Sequence, residues 1–264
     1  MKSIRGNVIW ITGASSGIGE ELTHQLNELG CLLIISARRE NELEKVKLSC
    51  KYPENIAVLP LDLSDFESSD KMVNKAIYFF GKIDILINNG GISQRSLIAK
   101  TKFKVYKELI DINYLGTISI SNSLLPHFIE REQGHFVTVT SLMGKFSSPF
   151  RSGYCGAKHA LHGFFDALRM EHEKDNISVT LICPGFIQTN VAKNALTADG
   201  SRQGENDDAT SSGLPVVICA KKIIKAIEQK KFETYIGRKE IYAIYIKRFF
   251  PKLLHELVLR STVR

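Results

Sequence analysis

An alternation constrains this chain most. Short runs rich in Val, Ile and Leu recur between longer stretches whose apolar residues sit at helical spacing. The strand-like runs fall at 7–12, 31–37, 56–61, 83–88, 135–140, 178–183 and 233–236. Several are almost continuously aliphatic, as expected of strands covered on both faces rather than wet on one. The stretches 19–29, 40–50, 65–80, 103–129, 154–175 and 216–230 carry the helical period. Strands alternating with helices call for an α/β fold, a three-layer doubly wound parallel sheet. No internal repeat and no Pro/Gly/Ser-rich linker divides the 264 residues, so one domain is expected over 1–237 with a short extension over 238–264.

In such a sheet the functional groups gather beyond the carboxyl ends of the strands. The first strand runs directly into Thr12-Gly13-Ala14-Ser15-Ser16-Gly17-Ile18-Gly19, which opens a helix. A dinucleotide pyrophosphate needs backbone that can approach closely without Cβ atoms, and amide groups at a helix N-terminus to meet its charge. Gly13, Gly17 and Gly19 supply the first requirement. Ser15, Ser16 and Ile18 stand where the helix begins, and the sheet is therefore read as Rossmann-like. The second strand ends Ser36-Ala37-Arg38-Arg39. An NAD-selective site places an acid near Ala37 to bond the ribose hydroxyls, whereas a 2′-phosphate asks for arginine. Arg38 and Arg39 could simply open a solvated helix, but the pair without an acid favours NADPH, with Arg38 the phosphate contact. Asp62 and Leu63 follow the third strand; Asp62 either accepts from the adenine amino group or caps a helix beginning near Ser64. Asn89 and Gly90 end the fourth strand, where an amide can fix a turn and leave room for a ribose.

Reducing a carbonyl requires a proton donor beside the developing alkoxide and a second donor to orient the carbonyl. Tyr154 and Lys158 stand four residues apart and share a helix face. A nearby ammonium, together with the positive charge of a nicotinamide, is expected to lower the phenol's pKa from about 10. Ser141 ends the fifth strand. Asn113 lies inside a helical stretch where an amide is either a satisfied core residue or a kink in a proton relay.

Taken together, TGASSGIG, NNGG, Asn113, Ser141, the YCGAK segment and Pro184-Gly185 resemble the short-chain dehydrogenase/reductase superfamily over roughly residues 7–237. The resemblance implies a catalytic set of Asn113, Ser141, Tyr154 and Lys158. It places Pro184, Gly185, Ile187 and Thr189, with Tyr154 and Lys158, on the nicotinamide side. It also implies a homodimer or homotetramer. NNGG replaces the usual NNAG, and Ser16 stands where many NADPH-using members carry a basic residue. The likeness extends to the branch reducing steroids and retinoids, which implies a small hydrophobic carbonyl or alcohol substrate, although 3-oxoacyl carrier-protein reductases share most of the motifs. Phe146, Phe150, Phe186 and Val191 are candidate pocket walls. A catalytically idle nucleotide-binding scaffold on the same fold is the reading from another class.

The formal net charge is +7, but the basic residues are widely spread, which argues against nucleic-acid binding. Five dispersed cysteines form no CxxC pair, so neither a metal site nor a disulfide framework is expected, and the compartment reads as reducing and cytoplasmic. Stretch 194–213 is polar and expected to build no core; it reads as a disordered loop or, better, as a substrate lid. The extension mixes apolar residues with Lys and Arg around Pro251. It is expected to pack on the domain or at a subunit interface, with peripheral membrane contact as the other reading.

Overall fold

The computed structural model describes residues 4–261; residues 1–3 of the expected domain and 262–264 of the extension lie outside it. In chain order the elements are β1 (Val8–Thr12), α1 (Gly17–Glu28), β2 (Leu32–Ser36), α2 (Glu40–Ser49), β3 (Ile56–Val58), α3 (Ser69–Phe80), β4 (Ile85–Asn88), α4 (Phe103–Ile110), α5 (Gly116–Glu130), β5 (Gly134–Val139), α6 (Ser152–Glu171), β6 (Ile177–Pro184), α7 (Asp208–Ser211), α8 (Val216–Glu228), β7 (Glu233–Ile236), α9 (Ala243–Phe249) and α10 (Pro251–Arg260). The seven strands form one parallel sheet in the order β3-β2-β1-β4-β5-β6-β7. The expected Rossmann-like α/β architecture is therefore present.

Strand residues alternate between two cores because successive side chains point to opposite faces. Ile9, Ile11, Leu33 and Ile35 pack with Leu22 and Leu26 of α1 and with Ile223 and Ile227 of α8. Val8, Trp10 and Ile34 pack on the other face with Val73 of α3, Leu124 and Phe128 of α5, and Phe165 of α6. The Trp10 indole donates to Ser36 Oγ at 2.8 Å, so its one polar atom is satisfied inside the core.

The structure corrects three expectations. The helix expected over 65–80 begins at Ser69, because Asp62 Oδ1 accepts from both the backbone N (2.9 Å) and Oγ (2.7 Å) of Ser64 and holds the chain in a turn. The third strand stops at Val58 rather than 61, although Leu59 and Leu61 still donate to the carbonyls of Ile35 and Ala37 at 3.0 Å each on either side of Pro60. The stretch 194–213 does build core. Leu196 is buried with Val105 and Leu109, bridges in β fashion to Gln94 and Arg202, and is followed by α7. Polar composition hid this because the segment's apolar content is concentrated in Ala195 and Leu196.

The extension folds as α9 and α10 with Pro251 at the first position of α10, where its missing N–H costs nothing. It packs through Ile246, Leu254 and Val258 against Leu142 and Phe146. Among the described residues no helix is long and apolar enough to cross a membrane. The five cysteines are buried and unpaired.

His135 pairs with Ser178 in the β5–β6 ladder, and its ring shares a 2.8 Å hydrogen bond with the Thr180 hydroxyl. Burial pushes its imidazole down to about 3. The folded protein therefore binds fewer protons than the unfolded chain between that value and 6.5, and stability falls as pH drops through this window. His135→Gln should flatten the fall by up to about one proton, read as urea-unfolding free energy from pH 4.5 to 7; an unchanged slope would exclude His135 as its source.

Candidate active site

The strand order reverses between β1 and β4, and a crevice opens at the carboxyl edge there. The cleft has a volume of about 780 Å³. It is walled by the segments after β1, β2, β4, β5 and β6, by the 194–213 stretch and by α9 and α10. Every residue that the sequence assigned to the cofactor or to catalysis lines it, with the single exception of Gly19.

Gly19 is buried and acts behind the cleft wall. A Cβ there would collide with the Gly13 carbonyl and lie 2.6 Å from Asn89 Nδ2. Gly13 has φ +66°, and a Cβ on it would lie 2.6 Å from the Gly90 Cα. Asn89 closes this contact: its Nδ2 donates to the carbonyls of Thr12 and Gly13 at 3.1 Å each. The backbone N–H groups of Asn89 and Gly90 in turn donate to Thr12 Oγ1 at 3.1 Å. Asn89 is thus the brace of the glycine turn. Ser16 precedes α1 without spending its side chain on a helix cap, so the hydroxyl and the helix N-terminus face the cleft together.

Arg38 and Arg39 are exposed at the end of β2 on the cleft rim, with half-buried Ala37 before them. This donor set fits a phosphorylated dinucleotide: glycine backbone and a helix N-terminus for the pyrophosphate, and cations where an NAD-selective site keeps an acid.

The helical stretch over 103–129 is broken. Asp111–Leu115 widens into a π-helical segment between α4 and α5. Asn113 causes the break: its Nδ2 donates to the carbonyls of Leu109 and Ile92, both at 3.0 Å, and its Oδ1 accepts from the Ile92 N–H at 2.9 Å. The side chain is fully occupied in tying this helix to the segment after β4. The expected kink exists, and its amide serves backbone groups.

Tyr154 and Lys158 share a face of α6, with Lys158 Nζ 5.8 Å from the phenol ring centre. Lys158 is buried and donates to the Val139 carbonyl at 2.9 Å; burial pulls its ammonium down to about 8. The Ser141 side chain favours the ionised form of the Tyr154 phenol. Ser141 Oγ accepts from the Met143 N–H at 3.1 Å, which fixes it at the end of β5. The expected lowering of the phenol's pKa by Lys158 is not what the fold produces. Burial raises it, and the opposing pull comes from Ser141 and from the guanidiniums of Arg95 and Arg151. Lys158 Nζ is committed to the Val139 carbonyl, and desolvation of the phenolate prevails.

Phe146, Phe186 and Val191 line the cleft as expected, whereas Phe150 does not. Sequence reasoning missed two groups. Gln94 is wholly buried and its Oε1 accepts from the backbone N–H groups of Gly153 (2.8 Å) and Tyr154 (3.3 Å), capping the helix that carries the phenol. Arg95 and Arg151 share the carboxylate of Asp207. These partners are 56 to 112 residues apart, and no local pattern announces them.

A profile of short chain dehydrogenases matches residues 7–200. The chain is 43% identical over 251 residues to dehydrogenase/reductase SDR family member 7 of Homo sapiens, covering 92% of this chain and 74% of that one. It is 37% identical over 267 residues to a family protein 7-like dehydrogenase/reductase of Drosophila melanogaster, covering 98% and 81%. Among solved structures, a short-chain dehydrogenase/reductase from Burkholderia phymatum in complex with NAD superposes with TM-score 0.85 at 20% identity, covering 96% of each chain. One from Burkholderia cenocepacia in complex with NADP gives 0.81 at 19% identity, covering 98% and 100%. By the profile match over residues 7–200 and these identities, the chain belongs to the short-chain dehydrogenase/reductase family of nucleotide-binding oxidoreductases.

Proposed function

We propose that this protein is an NADP(H)-dependent oxidoreductase that interconverts a carbonyl and an alcohol on a hydrophobic substrate, with Tyr154 as general acid/base. The observation that carries the reading is the meeting of the Tyr154 phenol, the Ser141 hydroxyl and the buried Lys158 ammonium at the inner end of a cleft whose outer end holds the glycine turn and Arg38. The nicotinamide, when bound, supplies the hydride. Ser141 orients the carbonyl oxygen, and the Tyr154 phenol gives its proton to the alkoxide as it develops. Burial favours the protonated phenol, the form that donates. Lys158, held by the Val139 carbonyl, has further N–H donors for a ribose. Asn113 acts by holding the Ile92 backbone against the cleft. Gly91 makes room for this, since a Cβ there would lie 2.5 Å from Asn113 Oδ1. Apolar walls from Phe186, Val191, Ile246 and Leu257 suit a hydrophobic substrate.

Arg38 and Arg39 support NADPH over NADH because a guanidinium pairs with a 2′-phosphate and Ala37 offers no acid.

Tyr154→Phe should lower NADPH-dependent reduction of hydrophobic ketones and aldehydes, followed at 340 nm, by ~10²–10⁴-fold; turnover at the wild-type rate would overturn the assignment. Arg38→Asp should cost about 10–100-fold in kcat/KM for NADPH and far less for NADH. Equal losses would remove the phosphate contact.

Lys158 generates a stability prediction as well. Its folded value near 8 lies below the usual 10.5, so the unfolded chain binds more protons between the two. The burial penalty is complete below pH 8 and is relieved as pH rises towards 10.5. Lys158→Met should therefore raise stability at pH 7 by on the order of 1–3 kcal/mol, with the advantage shrinking by pH 10, while activity is lost. Urea unfolding at the two pH values reads this; a variant less stable at pH 7 would contradict the penalty.

A further inference from the structure

Two guanidiniums share one carboxylate beside the phenol. Arg95 directs Nε (2.9 Å) and Nη2 (2.7 Å) to Asp207 Oδ2, and Arg151 Nη2 reaches the same oxygen at 3.4 Å. The other oxygen, Oδ1, accepts from the Thr210 N–H at 2.9 Å. All three side chains are almost wholly shielded, with exposures of 9%, 4% and 4% for Arg95, Arg151 and Asp207. Among the described residues Asp207 is the only acidic side chain within ion-pair distance of either arginine. The group therefore carries one net positive charge in a desolvated setting, which is costly unless a second anion meets it. Burial and the repulsion from Arg95 pull the Arg151 guanidinium down to about 10 despite Asp207.

The excess charge borders the cleft. Arg95 and Arg151 both line it, Arg151 three residues before Tyr154 at the start of α6. The hold on Arg151 is incomplete: of its five N–H donors, Nη1 meets Ser148 Oγ at 3.1 Å and Nη2 has only the long contact to Asp207. Arg202, exposed in the 194–213 stretch, adds another cation to the lining. Phe186, Val191, Ile246 and Leu257 add apolar surface to the lining, which also includes the polar Ser148, Asn190 and Asn194 and the acid Glu240.

We propose that Arg95 and Arg151 form an anion subsite beside Tyr154, so that the preferred substrate is a hydrophobic carbonyl compound bearing a carboxylate. The inference rests on the carbonyl-reductase reading for its account of turnover, but the subsite itself is a matter of binding. A carboxylate suits the planar guanidinium fork of Arg151, which can take it through two parallel N–H groups. Asp207 then has a dual role. It ties the 194–213 stretch to the segment after β4 and to α6, and it is the protein's own competitor for the arginines.

That competition gives two variants opposite signs. With NADPH, kcat/KM is measured for an aryl oxo-carboxylic acid and its methyl ester. Arg151→Met should lower the acid-to-ester ratio at least tenfold; Asp207→Asn should raise it, because both guanidiniums lose their internal partner. A latch without a ligand role would change acid and ester together in both variants, which would overturn the proposal. An equilibrium readout separates this from the activity itself. By titration calorimetry the wild-type protein with NADP+ should bind 4-phenylbutyrate at least tenfold more tightly than 4-phenylbutanamide, and Arg151→Met should abolish the difference. Equal binding of acid and amide overturns the subsite even if the ester is reduced. Preferential acid binding with no Tyr154-dependent reduction of either compound keeps the subsite and sinks the catalytic reading.

Discussion

The architecture depends on a constraint of parallel sheets: every strand must be regained by a crossover, so all seven strands deliver their following segments to one edge. Reversal of the strand order between β1 and β4 then parts two of these segments and leaves a crevice. The crevice persists because backbone fills what side chains otherwise would. Gly13 and Gly90 touch nearly Cα to Cα, and Asn89 stitches them through the carbonyls of Thr12 and Gly13. If Gly13 carried a side chain, the β1 turn and the end of β4 could not both stay where they are. The cofactor floor and the floor beneath the phenol would then separate.

Polar groups inside this crevice are held by backbone. Asn113 spends its amide on Ile92 and Leu109, Gln94 on the N–H groups ahead of Tyr154, and Lys158 one donor on Val139. Apart from Asn113 to Leu109, these bonds cross between segments distant in sequence, so the helix carrying the phenol, the widened turn of its neighbour and the end of β5 are joined by one network of hydrogen bonds. Lys158 and Arg151 are buried without full compensation, and desolvation lowers the proton affinity of each.

The phenol illustrates how proximity along a helix differs from electrostatic contact. Spacing of four residues puts Tyr154 and Lys158 on one face, and that much holds. It does not fix where the ammonium points. In the fold Lys158 turns towards the Val139 carbonyl, and the groups that favour the phenolate are Ser141 from β5 and two guanidiniums drawn in by Asp207. The C-terminal extension is a similar case. Its composition suggested an amphipathic tail, yet Glu240 accepts from the Phe186 N–H at 3.3 Å, and α9 and α10 supply a wall of the cleft.

What the sequence alone determined was whatever rests on local periodicity and backbone permission. Aliphatic runs and helical spacing are properties of five to fifteen residues, so the seven strands and the layer order were legible, as were the glycine turn, Ser141 and the Tyr154–Lys158 face. The start of α3 at Ser69 and the end of β3 were blurred, because a local turn such as that of Asp62 with Ser64 shifts an element's boundary. Only the tertiary structure decided the rest. Gln94 meeting Gly153, Arg95 meeting Asp207 and Leu196 entering the core each join residues tens of positions apart, and such pairings leave no pattern in the chain. The physical reason is that charge balance and burial belong to a point in space, which only folding brings into being.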